Sequence, residues 1–310
     1  MGTVRRAVID VGTNSVKLLV ADVQGGVVTP VHEESSQTRL GRGLYETHRL
    51  QPEPIARTAE AVRKFAALAR EKNAATLRVI ATSAAREALN RSELVSAIAR
   101  AAGLNVEIIS GEQEADWAFR GVATDAALAR RSLLLLDVGG GSTQLILGRN
   151  GKKHFAGSFS VGAVRLMEQF PPGDPPSAVQ FRKCRDWLEQ FLRGEIRPQL
   201  EPALKQESGP LCLVGTGGTA TILARMELKL DRYHRERIER TVLRLSRVSA
   251  WRRLLWKLPL EKRQKIPGLP KNRADVILTG VLIYETMMRE FGFGQLRVST
   301  RGLRFGVVSE

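Results

Sequence analysis

The chain has 310 residues, of which 43% are hydrophobic and 26% charged, and it carries a formal net charge of +16. This is the balance of a globular chain of about two domains, not of a disordered one. No apolar run approaches the roughly 20 residues that cross a bilayer, no signal-peptide pattern precedes the first strand-like segment, and Cys184 and Cys212 have no metal-ligand spacing, so we expect a cytoplasmic protein with no membrane association and no disulfide framework.

The charge is uneven. Residues 225–273 hold 16 Lys/Arg against 5 Asp/Glu, a net of +11, which leaves +5 for the rest of the chain. Such a block attracts polyanions: nucleic acid, a nucleotide, inorganic polyphosphate or an acidic surface. The competing reading is a solvated helical face. The aromatic share is only 5%, with no basic–aromatic interleaving to stack bases, which argues against a dedicated nucleic-acid binder.

In chain order, strand-like segments fall at residues 7–10, 16–23 and 27–34, with Gln24-Gly25-Gly26 as one turn. A basic, glycine-punctuated loop follows at Arg39-Leu40-Gly41-Arg42-Gly43-Leu44. Ile55, Ala59, Val62, Ala66 and Ala69 recur at helical spacing, so residues 53–72 are expected to be helical. A short strand at 77–81 leads into Thr82-Ser83-Ala84-Ala85-Arg86, which opens a helix. Asn90 with Glu93 marks another helix start and Gly103 its stop, and a strand is expected at 106–109. Strands alternating with helices in this order indicate an α/β layer. Ser110 is then a good N-cap, with Gln113 at the reciprocal capping position. Glu112 and Glu114 fall in the first turn of that helix. They complement its dipole, and a carboxylate in that place can also accept a proton from an attacking water.

Residues 133–148 are the chain's central stretch. Leu133–Leu136 runs into Asp137, then Gly139, Gly140, Gly141, Ser142 and Thr143, then a second apolar run. This reads as two strands joined by a tight turn. Three glycines there let backbone N–H groups close on an oxyanion, and the adjacent carboxylate can hold a hydrated divalent cation. The same pattern occurs at residues 7–21. With Asp10 set on Asp137 the two runs match without a gap, Gly12 on Gly139 and Leu18 on Leu145. A looser third version lies at 211–223. Two related acidic hairpins suggest two similar domains facing each other across a cleft. Further on, residues 158–166 hold a strand, Gly162 and Arg165. Helices are expected at 179–193, 219–229 and 273–291, with more inside the basic block, and the tail from 295 has mixed character.

Nine ordered blocks (AVIDVGTNSVKLL, RLGRGL, TSAAREALN, IISGEQEADWAFRGV, LLDVGGGSTQL, SVGAVRL, GTGGT, RADVILTG and VSTRGLRFG) resemble the exopolyphosphatase/guanosine pentaphosphate phosphohydrolase (Ppx/GppA) family over nearly the full length. The resemblance implies an α/β fold of two ribonuclease H-like domains of the actin/Hsp70/sugar kinase superfamily, facing a central cleft. Residues 1–121 would form the first domain, with 295–310 packing back on it. Residues 122–294, including the basic segment, would form the second. The implied reaction is removal of a terminal phosphate by water, from inorganic polyphosphate or from guanosine pentaphosphate or another nucleoside polyphosphate. Asp10 and Asp137 would hold Mg²⁺ or Mn²⁺. The turns Gly12-Thr13-Asn14-Ser15 and Gly139-Gly140-Gly141-Ser142-Thr143, with Arg165, would grip phosphate, the Ser15 and Thr143 hydroxyls assisting. Arg86 fits a bidentate phosphate contact. Glu114 is the expected general base, with Glu112 as fallback, and Lys17 is ambiguous between cleft and solvent. One departure stands out: the family usually has glutamate after GGGST, and here the residue is Gln144, which contributes no charge. That substitution also keeps open a sensor that binds polyphosphate or nucleotide with little turnover. Proteins of this superfamily often dimerise, so a homodimer is one expected assembly.

Overall fold

Alternating apolar side chains in the first forty residues produce a three-stranded antiparallel meander of β1 (Val4–Val11), β2 (Val16–Gln24) and β3 (Val27–Ser36). Next to β1 lie, in parallel, β4 (Thr76–Ala81) and β5 (Glu107–Ile108), giving the sheet order β3-β2-β1-β4-β5. The computed structural model describes residues 2–310. They divide into two units: one runs to Ala129 and takes in Arg301–Glu310, the other is Arg130–Thr300.

In the first unit, the pleat of β1 sends successive residues to opposite faces. Ile9 joins a core with Ile55, Val62, Phe65 and Ala66 of the helix Pro52–Glu71, while Val8 packs with Trp117, Phe305 and Val308. The second face is covered by the helices Gly111–Ala123 and Leu303–Ser309. These two helices touch through their backbones. A Cβ added at Gly306 would lie 1.9 Å from the Trp117 carbonyl oxygen, and one at Gly121 would lie 2.0 Å from that of Gly302.

The second unit repeats the plan. β6 (Leu133–Val138), β7 (Thr143–Arg149) and β8 (Lys152–Phe159) form the meander, and β9 (Cys212–Thr216) and β11 (Gln295–Val298) extend it in parallel. A three-residue strand, β10 (Val242–Arg244), closes the far edge, so the order is β10-β11-β9-β6-β7-β8. Both units therefore have the ribonuclease H-like arrangement of an antiparallel meander continued by parallel strands. The helix Ile277–Glu290 is buried along nearly all its length against this sheet, and Ala178–Phe191 starts from a capping box made by Ser177 and Gln180.

Three boundaries differ from the sequence reading. Gln295–Val298 pairs with β9 and belongs to the second unit, so the segment that returns to the first begins at Arg301, not at residue 295. The first unit extends past residue 121 to Ala129 through the short helix Ala126–Ala129. The basic block contains β10 as well as helices, and the third glycine run leaves β9 directly into the helix Gly217–Glu227, with no hairpin.

The Gly306 contact sets a stability prediction. Gly306→Ala forces the two backbones of the first unit apart, and overpacking of this kind costs about 1–3 kcal/mol or more. Urea unfolding followed by circular dichroism should show a lowered midpoint; an unchanged midpoint would refute the close packing.

Candidate active site

Each meander begins with an acidic residue one position before the end of its first strand. Asp10 pairs with Lys17 in β1–β2, and Asp137 pairs with Gln144 in β6–β7. The turns that follow are closed by the same hydrogen bond. Gly12 N–H donates to the Ser15 carbonyl at 3.0 Å, and Gly139 N–H donates to the Ser142 carbonyl at 2.9 Å. Any Cβ on the leading glycine would press on that carbonyl, at 3.1 Å for Gly12 and 2.9 Å for Gly139. The gapless match of the two sequences is thus a match of backbone hydrogen bonding. The closing bond uses the amide of the first glycine but not those of Thr13 and Asn14, or of Gly140 and Gly141, and the two glycines have the small-residue character that suits an oxyanion nest.

Asp10 is 7% exposed, and its Oδ1 atom is buried without a hydrogen-bond partner. Burial raises its carboxyl pKa above the usual range; the charges of Lys17 and then Arg304 oppose that rise in part. Lys17, opposite Asp10 in the ladder, shares its face of the sheet. A buried carboxylate oxygen with no donor fits a cation. Among the described residues no group of three or more His, Cys, Asp or Glu could hold a metal ion. The donor set fits an ion that keeps waters or substrate oxygens in most of its positions, as Mg²⁺ does.

The strands β1, β4 and β5 run in parallel, so their C-terminal ends share one edge of the first sheet. The Gly12 turn, the short helix Ser83–Glu87 and the helix Gly111–Ala123 all start there. Thr82 N–H donates to the Val11 carbonyl, and Ser110 Oγ caps the last helix by accepting from Gln113 N–H. Arg86 and Glu114 meet at this edge. Both Nη atoms lie 3.2 Å from Glu114 Oε2, and Nη1 also donates to the Ile109 carbonyl at 2.8 Å. Glu114 is 8% exposed, whereas Glu112 is exposed. The guanidinium therefore orients Glu114 and supplies its counter-charge; it is not a fork aimed at phosphate alone. The basic loop is docked on the same turn, with Arg39 N–H donating to the Asn14 carbonyl and Gly41 N–H to that of Thr13.

The second turn is supported differently. Ala163, Val164 and Arg165, at the start of the helix Ala163–Gln169, donate their amides to the carbonyls of Gly139 and Gly140, and Arg165 Nε donates to that of Gly141 at 2.8 Å. Arg165 thus braces the backbone of the turn. Thr143 corrects the sequence reading: its hydroxyl donates to the Val161 carbonyl at 2.6 Å and is fully buried, so that proton is not offered to phosphate. Gln144 is also buried, and its amide donates to the Ser142 and Ser158 hydroxyls. It ties the turn to β8.

The matching family model, described as the Ppx/GppA phosphatase family, covers residues 19–310. A Mycobacterium tuberculosis protein named Exopolyphosphatase 2 is 33% identical over 332 aligned residues, which span 99% of this chain and 98% of that one. Among solved structures, an Aquifex aeolicus member of the Ppx/GppA family is 31% identical with a TM-score of 0.80, over 99% of this chain and 97% of that chain. An exopolyphosphatase from Cytophaga hutchinsonii is 27% identical with a TM-score of 0.86, over 98% and 96%. With repeated acid–glycine turns, a buried carboxylate at the end of β1 and this full-length likeness, the chain belongs to the Ppx/GppA phosphatase family.

Proposed function

We propose that this protein is an exopolyphosphatase that removes the terminal phosphate of inorganic polyphosphate by attack of water. The observation that carries the reading is the pair of acid-bearing turns closed by equivalent Gly N–H to Ser carbonyl bonds. The names of the relatives and the chain's +16 charge support a long polyanion as substrate. Phosphoryl transfer asks for positioning and charge neutralisation more than for covalent chemistry. Asp10 and Asp137 would hold Mg²⁺ or Mn²⁺, which when bound neutralises phosphate oxygens. The turn amides and the Ser15 and Ser142 side chains orient the terminal phosphate. Glu114, held by Arg86, takes the proton of the water whose oxygen bonds to phosphorus as the anhydride bond breaks.

The substrate is tested by measuring orthophosphate release from polyphosphates of several lengths and from guanosine pentaphosphate, with Mg²⁺ or Mn²⁺. Faster turnover of polyphosphate is expected. Preference for the nucleotide would move the reading to the alternative substrate, and release from neither would favour a binding sensor. Glu114→Gln should lower kcat by about 10²–10⁴-fold with little change in KM, the usual consequence of losing a general base; a drop of only a few-fold would place the base elsewhere.

Asp10 yields a prediction of opposite sign for stability and activity. Its folded pKa is raised, so the ionised side chain destabilises the fold at neutral pH, and that burden is relieved as pH falls through the folded pKa towards the unfolded one. Asp10→Asn should therefore raise Tm at pH 7.5, by about 2–4 °C for each kcal/mol relieved, while phosphate release is largely lost. The Tm gap between the variant and the unmodified protein should close on acidification, as thermal scans from pH 7.5 downward would show. A variant less stable than the unmodified protein at pH 7.5 would contradict the buried charge.

A further inference from the structure

Tyr284 lies in the middle of the apolar helix Ile277–Glu290 and is fully buried. A phenylalanine would fill the same space. The hydroxyl, however, reaches the ends of two strands: Tyr284 Oη donates to the Thr216 carbonyl at 2.7 Å and lies 3.1 Å from that of Leu136. Leu136 directly precedes Asp137 on β6, and Thr216 is the ladder partner of Asp137 on β9. Beyond Thr216 the chain turns at Gly217, with φ +85°, so close to Asp137 that an added Cβ would sit 2.6 Å from its Oδ1. Burial, and after it the Asp137 charge, push the Tyr284 hydroxyl pKa well above its ordinary value, which keeps it a neutral donor. One phenolic hydroxyl thus reaches two backbone carbonyls, that of the residue before Asp137 on β6 and that of its ladder partner on β9.

We propose that Tyr284 is a positioning residue for Asp137, its hydroxyl fixing the spacing of the β6 and β9 ends from which that carboxylate reaches a divalent cation. The proposal rests on the reading of Asp137 as a metal-holding carboxylate. Loss of the hydroxyl lets the two ends relax, and the carboxylate no longer keeps its angle to Gly217. Outer-shell groups that orient metal carboxylates act in this way.

The test is Mn²⁺ binding to the full chain, measured from free Mn²⁺ by electron paramagnetic resonance, on the unmodified protein, Tyr284→Phe, Asp137→Asn and the double variant. We expect Tyr284→Phe to weaken Mn²⁺ binding roughly 10-fold, at the low end for an outer-shell partner, with the KM for polyphosphate little changed. We also expect Asp137→Asn to weaken binding, and the double variant to be no weaker than Asp137→Asn alone. A role confined to packing would lower Tm without moving Mn²⁺ affinity. Unchanged affinity in Tyr284→Phe, or a loss that adds to that of Asp137→Asn, overturns the role of Tyr284 and leaves the metal reading standing. No effect of Asp137→Asn, or no Mn²⁺ uptake by the unmodified protein, overturns the metal reading and the proposal with it. If Tyr284→Phe fails to fold, Gly215→Ala replaces it. Its Cβ would press on Leu296 Cδ1 at 2.9 Å and on the tyrosine ring at 3.0 Å from Cε1 and 3.3 Å from the hydroxyl oxygen, so it crowds the hydroxyl without removing it, and the same outcomes apply.

Discussion

The burial of the Asp10 carboxylate is the constraint on which the first unit's site depends. Removing a charge from water is costly unless something compensates it, and Oδ1 has no hydrogen-bond donor. What keeps the residue there is backbone geometry. It sits one residue before the end of β1, paired with β2 on one side and β4 on the other, and neither ladder can release it without loss of the core beneath. The adjacent turn is closed by its own hydrogen bond and braced by the 39–41 loop, so the carboxylate cannot swing outward with a flexible hairpin. Lys17 and Arg304 soften the electrostatic cost but do not remove it. A fold that retains such a group gives up stability at a place where positioned negative charge has a chemical use.

The two units keep the same backbone and have diverged in what supports it. In the first, the ladder partner of the acid is a cation, Lys17; in the second it is the neutral Gln144, spent on two serine hydroxyls. The first turn is braced from outside by a basic loop, the second from behind by three amides and Arg165. The pair Glu114–Arg86 belongs to the first unit. Gln144 is accounted for in the same terms. Where the family usually places a glutamate, this chain has a neutral side chain that donates to Ser142 and Ser158.

Much of this was legible in the residues. The repeat at 7–21 and 133–148 fixed the register as well as the resemblance, because a gapless match of strand, turn and strand leaves no room for a different closing bond. Ser110 was readable as a cap, and the helical spacing of residues 53–72 as a helix. What escaped was decided by tertiary context. β10 is three residues long inside a charged segment, too short for any periodicity. The Thr143 hydroxyl looked free for phosphate because its acceptor, the Val161 carbonyl, is 18 residues away. Arg86 looked like a phosphate fork because Glu114, its partner, is 28 residues distant. Tyr284 left no signal at all: within an apolar helix a tyrosine reads as core, and only the carbonyls facing its hydroxyl distinguish it from phenylalanine.

The basic block shows how composition overstates a surface. Part of its charge is spent inside the second unit. Arg252 pairs with the nearly buried Glu285, which also holds Arg289 from outside the block, Arg247 pairs with Glu227, which also accepts from Trp251, and Arg263 is itself buried. Arg225 reaches the carbonyl of Asp231. Burial makes Arg252 and Arg263 poor at attracting anything from solvent, whereas Arg247 is exposed but already paired. Arg232, Arg237, Arg240, Arg244, Arg253, Lys257, Lys262, Lys265 and Lys271 do remain exposed. Long-range attraction depends on charges that solvent and counter-ions can reach, so it is this smaller set, and not the full +11 of the segment, that can act on a polyanion in solution. The two readings of the block, polyanion attraction and solvated face, therefore divide by residue: its buried arginines are structural and its exposed ones electrostatic.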